Sequence, residues 1–333
     1  MMSDSILVTG ANGFLGRHVC RALERAGLRA RGLVRGPTKF DACAEVAVAS
    51  DLTDRGAIRA ALRDVRAVVH LAARVHQIRD EDPDPMQAFR RVNVEGTRVL
   101  LEEAITAGVR RFVFISTVKA VGEATVEPWT DDTEPAPTDP YGISKLEAER
   151  LVLEKSSRAG VEAVVLRLPL LYGPGMKANM LRLFDLVWRG IPLPLGLVRN
   201  RRSLLFVENA ADAILAALFT EKGTGETYFV SDGEDVSTPD LVRAIAVALD
   251  RPARLVPFPV AALKTLGRCG DVLARFGPFP LTTAEIGRLL DSLAVDSSRI
   301  RSTLGFAPAY RLRDGLAITA RWYREHRVRT RRL

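Results

Sequence analysis

The chain has 333 residues, 47% of them hydrophobic and 26% charged, and its 48 lysines and arginines outnumber its 40 acids for a formal charge of +8. It can therefore bury a full core, is neither disordered nor fibrous, and has length for about two domains of roughly 150 residues. No apolar run approaches the ~18 residues of a spanning helix, and Ser5 to Thr9 is too short for a signal-peptide core, so a soluble, cytoplasmic protein is expected. Cys20, Cys43 and Cys269 make no CxxC pair and leave an odd count, against a disulfide framework or a zinc site. The positive balance suits anionic ligands without identifying one.

In chain order, Ser5 to Thr9 is a short apolar run closed by a glycine turn, and Phe14 to Ala26 repeats apolar residues at helical spacing up to Gly27. Strands are predicted near Ala30–Val34, Val46–Ser50, Ala67–Ala72, Arg111–Ser116 and Glu162–Leu168, with helices over Met86–Ala107 and Tyr141–Arg158. Nearly unbroken apolar strands alternating with helices indicate an α/β fold, a Rossmann-type doubly wound parallel sheet covered on both faces. Glu127 to Pro140, with four prolines and five acids, is a loop that delivers Tyr141. Beyond Leu168 the chain is broken by Pro and Gly around a helix at Asn179–Arg189. A strand at Ser203–Val207, a helix at Asn209–Thr220 and a strand at Glu226–Ser231 then regain the earlier rhythm. The expected division is a dinucleotide-binding domain over 1–168 and 204–235, and a smaller, interrupted substrate domain over 169–203 and 236–333.

The stretch Gly10-Ala11-Asn12-Gly13-Phe14-Leu15-Gly16 falls where a strand hands over to a helix, and there backbone N–H groups and the helix dipole can hold a pyrophosphate. The spacing is GxxGxxG. An acid about 20 residues on would read the ribose 2′-hydroxyl of NAD, but the second strand ends in Val34-Arg35-Gly36. Arg35 can instead meet a 2′-phosphate with a planar charged fork, which favours NADP(H) over NAD(H); the alternative is a solvated arginine. Asp51 could accept from the adenine amino group, with Leu52 over the ring, or be an ordinary N-cap or turn aspartate. Tyr141 and Lys145, four apart at a helix start, share one face, and an ammonium beside a phenol favours its ionised form. Ser116 and Thr117 end a strand at the carboxyl edge of the sheet, where ligands bind. His18 and His70 read as packed histidines, and no second His or Cys stands at metal spacing, so no metal site is expected.

Together TGANGFLG, HLAA (His70 to Ala73), Asn93, ISTVKAVG, YGISK, YGPG and RSLLFVEN resemble the extended short-chain dehydrogenase/reductase family of nucleotide-sugar epimerases, dehydratases and reductases, over nearly the whole chain. The resemblance implies that Tyr141 exchanges a proton with a sugar hydroxyl or ketone, that Lys145 lowers its pKa and holds the nicotinamide ribose, and that Thr117 donates to the substrate oxygen. It further implies cofactor contacts from Leu71, Ala72, Ala73 and Asn93 besides the glycine turn, and a nucleoside diphosphate gripped by Asn179 and Arg202, with Arg201 beside them. Arg167 is expected to buttress the sheet.

Family dehydratases follow the hydroxyl residue with an acid pair, whereas Val118 and Lys119 follow Thr117, so water elimination is disfavoured. The run TVKAVGE looks most like the branch that reduces UDP-linked 4-keto-6-deoxyhexoses, including their N-acetyl (2-acetamido) forms, for surface polysaccharide. A UDP-glucose or UDP-N-acetylglucosamine 4-epimerase is the alternative, and a catalytically silent NADP-sensing protein is a second. The basic tail RWYREHRVRTRRL reads as a solvated helix end, without an aromatic platform for nucleic acid. The oligomeric state is not legible, a homodimer being the assembly entertained.

Overall fold

The computed structural model describes residues 5–37, 42–75, 82–274 and 282–330. The first half alternates strand and helix: β1 (Ser5–Thr9), α1 (Phe14–Arg25), β2 (Arg29–Val34), β3 (Glu45–Val48), α2 (Arg55–Ala61), β4 (Val65–His70) and α3 (Pro85–Arg90). A π-helical turn (Arg91–Glu95) leads into α4 (Gly96–Thr106), followed by β5 (Arg111–Thr117), a 3-10 turn (Val118–Ala120), α5 (Pro140–Ala159) and β6 (Glu162–Leu168). Then come β7 (Leu170–Tyr172), α6 (Ala178–Trp188), β8 (Arg202–Phe206), α7 (Val207–Phe219), β9 (Glu226–Phe229), β10 (Asp235–Val236), α8 (Thr238–Leu249), α9 (Val260–Leu273), α10 (Thr283–Leu290), α11 (Ser298–Leu304) and α12 (Leu312–Thr330).

Seven strands form one parallel sheet in the order β3-β2-β1-β4-β5-β6-β9. Ile6, Leu7 and Val8 are fully buried because helices cover both faces, and each such side chain contributes about 1.5–3 kcal/mol. Along each strand alternate residues divide between two cores. Val113, Ile115, Val164 and Leu166 pack with residues of α1 and α7, while Phe112, Phe114, Ala163 and Val165 pack with residues of α4 and α5. Strand order reverses around β1, so the crevice between the carboxyl ends of β1 and β4 is the ligand position of a doubly wound sheet.

Three details differ from the sequence expectation. The helix expected over Met86–Ala107 is three pieces, with the π turn in its middle. The strand expected at Ser203–Val207 does not join the large sheet; β8 pairs with β7 and β10 in a three-stranded sheet, and the chain returns to the large sheet only at β9. The short helix α2, capped by Asp54, carries too few apolar repeats to stand out in the sequence. The end of the basic tail, residues 331–333, lies outside the described residues. Among those described, no helix is long and apolar enough to cross a membrane.

Candidate active site

The glycine turn is built by its own backbone: Gly10 N donates to Leu33 O at 3.0 Å, and Gly13 N to Gly10 O at 2.9 Å. Gly13 is the N-cap of α1 and supplies no side-chain cap, so the helix presents uncapped N–H groups to the crevice. Gly16 is required by contact, because a Cβ there would stand 2.3 Å from Gly10 O. Asn12 and Gly13 are exposed, Phe14 is half-buried, and Leu15 and Gly16 are buried beneath them. Arg35 is exposed just after β2, where no acid stands. An uncapped helix start behind a glycine turn fits the pyrophosphate of a dinucleotide.

Asp51 is already engaged. Its Oδ1 accepts from Thr53 N and Oγ1, both at 2.9 Å, and its Oδ2 from Arg91 at 2.6 Å. The Thr53 amide and then Arg91 hold its carboxyl below the usual range. The Thr53 bonds are those of a turn aspartate, and the arginine comes from the π turn, which the sequence did not flag. Leu52 packs against Gly96, where a Cβ would come within 2.8 Å of it.

At the end of β4 a chain of hydrogen bonds orients Leu71, Ala72 and the residues after them. Thr9 Oγ1 accepts from Leu71 N (3.1 Å) and Ala72 N (3.0 Å), so its own proton goes to His70 Nδ1 at 2.7 Å. His70 Nε2 then donates to Thr97 Oγ1 at 2.9 Å, and Thr97 to Asn93 O at 2.6 Å. Only a neutral imidazole fits this sequence of bonds, and burial with the charge of Lys145 nearby pushes His70 down to about 3. Asn93, carried by the π turn, ties the next stretch to α5. Its Oδ1 accepts from Arg74 N at 2.8 Å, and its Nδ2 donates to Arg74 O (3.0 Å) and Ser144 Oγ (2.9 Å).

Ser144 stands between Tyr141 and Lys145 and donates to Tyr141 O at 2.8 Å, so the Asn93 bond holds the first turn of α5 in place. Asp139 caps that helix from Gly142 N and Pro140 opens it, as the sequence Asp-Pro would suggest. Gly142 lets the helix start sit against the 3-10 turn, since a Cβ there would be 2.3 Å from Lys119 O. Tyr141 therefore reaches Thr117, whose hydroxyl bonds to the phenol and pulls its pKa down. Loss of solvent around the ring, aided by Asp139, outweighs that bond and pushes the phenol up to about 12.

Lys145 is buried, donates from Nζ to Ile115 O at 2.8 Å and lies 3.9 Å from the centre of the Phe114 ring. Burial lowers it to about 7, against the pull of Glu149. Its ammonium is turned to a carbonyl and an aromatic face, and the groups that move the Tyr141 phenol are its loss of solvent, Thr117 and Asp139. Glu149, one further turn along α5, is buried in an ion pair with Arg167 at 2.7 Å, so Arg167 does buttress β6 against α5.

The residues expected to meet substrate are dispersed. Ser116 alternates with Thr117 and so shares the face of Phe112 and Phe114 beneath α5, its Oγ buried and without a hydrogen bond. Asn179 is exposed in the first turn of α6. Arg201 pairs with Asp235 at 2.9 Å, while Arg202 Nη1 donates to Arg288 O at 2.8 Å and Asp291 O at 3.1 Å, which fixes one edge of its guanidinium. In place of an acid pair after Thr117, Val118 is buried and Lys119 Nζ is tied to Asp139 at 2.6 Å, an interaction the sequence reading missed.

These features meet known proteins across the whole chain. A model of the NAD dependent epimerase/dehydratase family matches residues 6–231. A UDP-glucose 4-epimerase of Vibrio cholerae is 36% identical over 325 residues, 96% of this chain and 95% of that one. A dTDP-glucose 4,6-dehydratase of Streptomyces griseus is 31% identical over 344 residues, 98% and 96% of the two chains. Among solved structures, MoeE5 in complex with UDP-glucuronic acid and NAD superposes with a TM-score of 0.77 at 26% identity, covering 97% of this chain and 99% of that one. On the family-model match and the identity to these relatives, the chain belongs to the NAD-dependent epimerase/dehydratase family.

Proposed function

We propose that this enzyme moves a hydride at C4 of a nucleotide-linked hexose, with UDP as the nucleotide. The observation that carries the reading is the Thr117–Tyr141 pair, held at the carboxyl edge of the sheet by the Asn93–Ser144 bond and by the close seat of Gly142. The glycine turn would hold the dinucleotide's pyrophosphate, and Lys145, Asn93 and the 71–73 backbone would hold its nicotinamide half. Bound NAD(P) supplies or accepts the hydride. Residues 1–168 and 204–235 serve the dinucleotide, and 169–203 and 236–333 the sugar nucleotide, with Asn179 and Arg202 on its diphosphate.

Tyr141 carries the proton of the C4 oxygen. A phenol held near 12 keeps its proton at neutral pH, which suits donation to a ketone; removal of a proton from a hydroxyl needs the phenolate, and Thr117 stabilises it by donating to it. Water elimination lacks the acid pair that would follow Thr117, because Val118 and Lys119 occupy those positions and Lys119 is bound to Asp139. Two outcomes remain. Likeness to the Vibrio cholerae epimerase supports 4-epimerisation, in which the same hydride is returned to the opposite face. Arg35, exposed where an NAD-reading acid would stand, supports NADP(H) and net reduction of a 4-keto sugar.

Cofactor balance separates the two. An epimerase interconverts UDP-glucose and UDP-galactose, or their N-acetyl forms, with no net change in nicotinamide absorbance. A reductase oxidises one NADPH for each UDP-linked 4-keto-6-deoxyhexose consumed. Neither reaction with an intact, dinucleotide-loaded protein would reject the proposal in favour of a silent sensor.

A further inference from the structure

His18, one turn into α1, is buried, and both its ring nitrogens face groups that only accept. Nδ1 lies 2.6 Å from Glu208 Oε1 and Nε2 lies 2.9 Å from Pro174 O. A neutral imidazole has one N–H, so satisfying both acceptors takes the imidazolium. Glu208 has no proton to offer: the bonds from His18 and Arg25 hold its carboxyl down at about 2, with Arg25 Nη2 on its second oxygen at 2.7 Å. His70 is the internal contrast, since its partners allow only the neutral ring.

The three elements joined at His18 belong to different parts of the site. α1 begins at the dinucleotide turn, and Phe14 meets the His18 ring edge-on at 5.9 Å. Pro174 lies in the connection from β7 to α6, whose first turn carries Asn179. Glu208 opens α7. We propose that His18 is a positioning residue, held as an imidazolium, that fastens the 173–177 connection and thereby the start of α6 to the dinucleotide helix, so that its proton governs affinity for a nucleoside diphosphate. The nucleoside-diphosphate part rests on the function proposed above. The charged groups around it are Glu208 on α7 and Arg25 on α1, with Asp212 and Tyr310 facing Arg25. The 173–177 side presents a backbone carbonyl.

The test uses the full chain. Nitrogen NMR of the histidine side chains should show both His18 ring nitrogens protonated at pH 7. UDP binding measured by calorimetry from pH 6 to 9 should weaken about tenfold as His18 loses its proton. In Glu208→Gln, which removes the charge that favours the imidazolium, the same weakening should begin at least about one pH unit lower. The Met176 amide, bonded to Gly173 O at 3.1 Å, should also exchange faster in that variant than in wild type at equal pH. A singly protonated ring at pH 7, or pH curves and exchange rates that superimpose in the two proteins, overturns the proposal. Absence of UDP binding by the wild type would overturn the nucleotide-sugar reading, and the NMR and exchange comparison would still decide the role of His18. If Glu208→Gln does not fold, His18→Asn replaces it: UDP affinity should then be weaker at pH 6 and independent of pH, and wild-type affinity at pH 6 would count against the proposal.

Discussion

Tyr141 and Lys145 are four residues apart on one helix face, and both are pushed toward their neutral forms by the loss of solvent around them. Their pairing was legible because a helical repeat is local. The bond from Asn93 to Ser144 spans 51 residues and that from His18 to Glu208 spans 190, so neither left a pattern in the sequence. Tyr141→Phe keeps the ring against Phe89 and removes the hydroxyl that meets Thr117. We expect turnover to fall by about 10²–10⁴, with dinucleotide affinity within a few-fold in a fluorescence titration. Arg35→Asp should shift preference from NADPH toward NADH, because a carboxylate accepts from the ribose 2′-hydroxyl and repels a 2′-phosphate. An unchanged ratio of kcat/KM for the two cofactors would place Arg35 outside the adenosine pocket.

At the scale of elements, the site depends on where helices begin. α1 starts on a bare glycine turn and so offers its N–H groups. α5 starts at Asp139–Pro140 and is pressed onto the 3-10 turn at Gly142. Both starts could be read in the sequence, from the glycines and from Asp-Pro-Tyr-Gly. The π turn that aims Asn93 could not, since a wider helical turn has no composition of its own. Gly142→Ala tests the seat of α5. A methyl group would meet Lys119 O at 2.3 Å and Pro137 Cβ at 3.1 Å, so the helix start must move. Overpacking of this kind costs about 1–3 kcal/mol in a denaturant titration. We expect kcat to fall at least tenfold with dinucleotide binding retained, because a misplacement of about 1 Å at the proposed proton carrier, Tyr141, can cost about 10² in rate.

For the whole molecule, the seven-stranded sheet joins the cores on its two faces, and its acid stability reflects groups buried at its centre. His70 is one. Its folded value of about 3 lies below the ordinary 6.5, so as pH falls through 6.5 the unfolded chain takes up a proton that the folded chain refuses until about 3. Stability on this account falls as pH falls across that window, by up to about 1.4 kcal/mol per pH unit. His70→Asn keeps an acceptor for Thr9 and has nothing to titrate. Between pH 6 and 4.5 its unfolding free energy should decline less steeply than that of wild type by about that amount, whereas parallel curves would show that His70 is not held neutral.

By itself the sequence determined the alternation of strand and helix, the parallel sheet, the glycine turn at the first strand–helix junction and the one-turn spacing of Tyr141 and Lys145, because each is written in apolar periodicity or in residues a few positions apart. Only the tertiary structure decided that β8 leaves the large sheet for β7 and β10, that Ser116 turns under α5, and that Asp51 is taken by Thr53 and Arg91. It also decided that His70 is neutral, and that both ring nitrogens of His18 face acceptors. The reason is the same in each case: strand partners, side-chain facing and protonation are set by whatever the folded chain brings alongside, and those neighbours are tens to hundreds of residues away in the sequence.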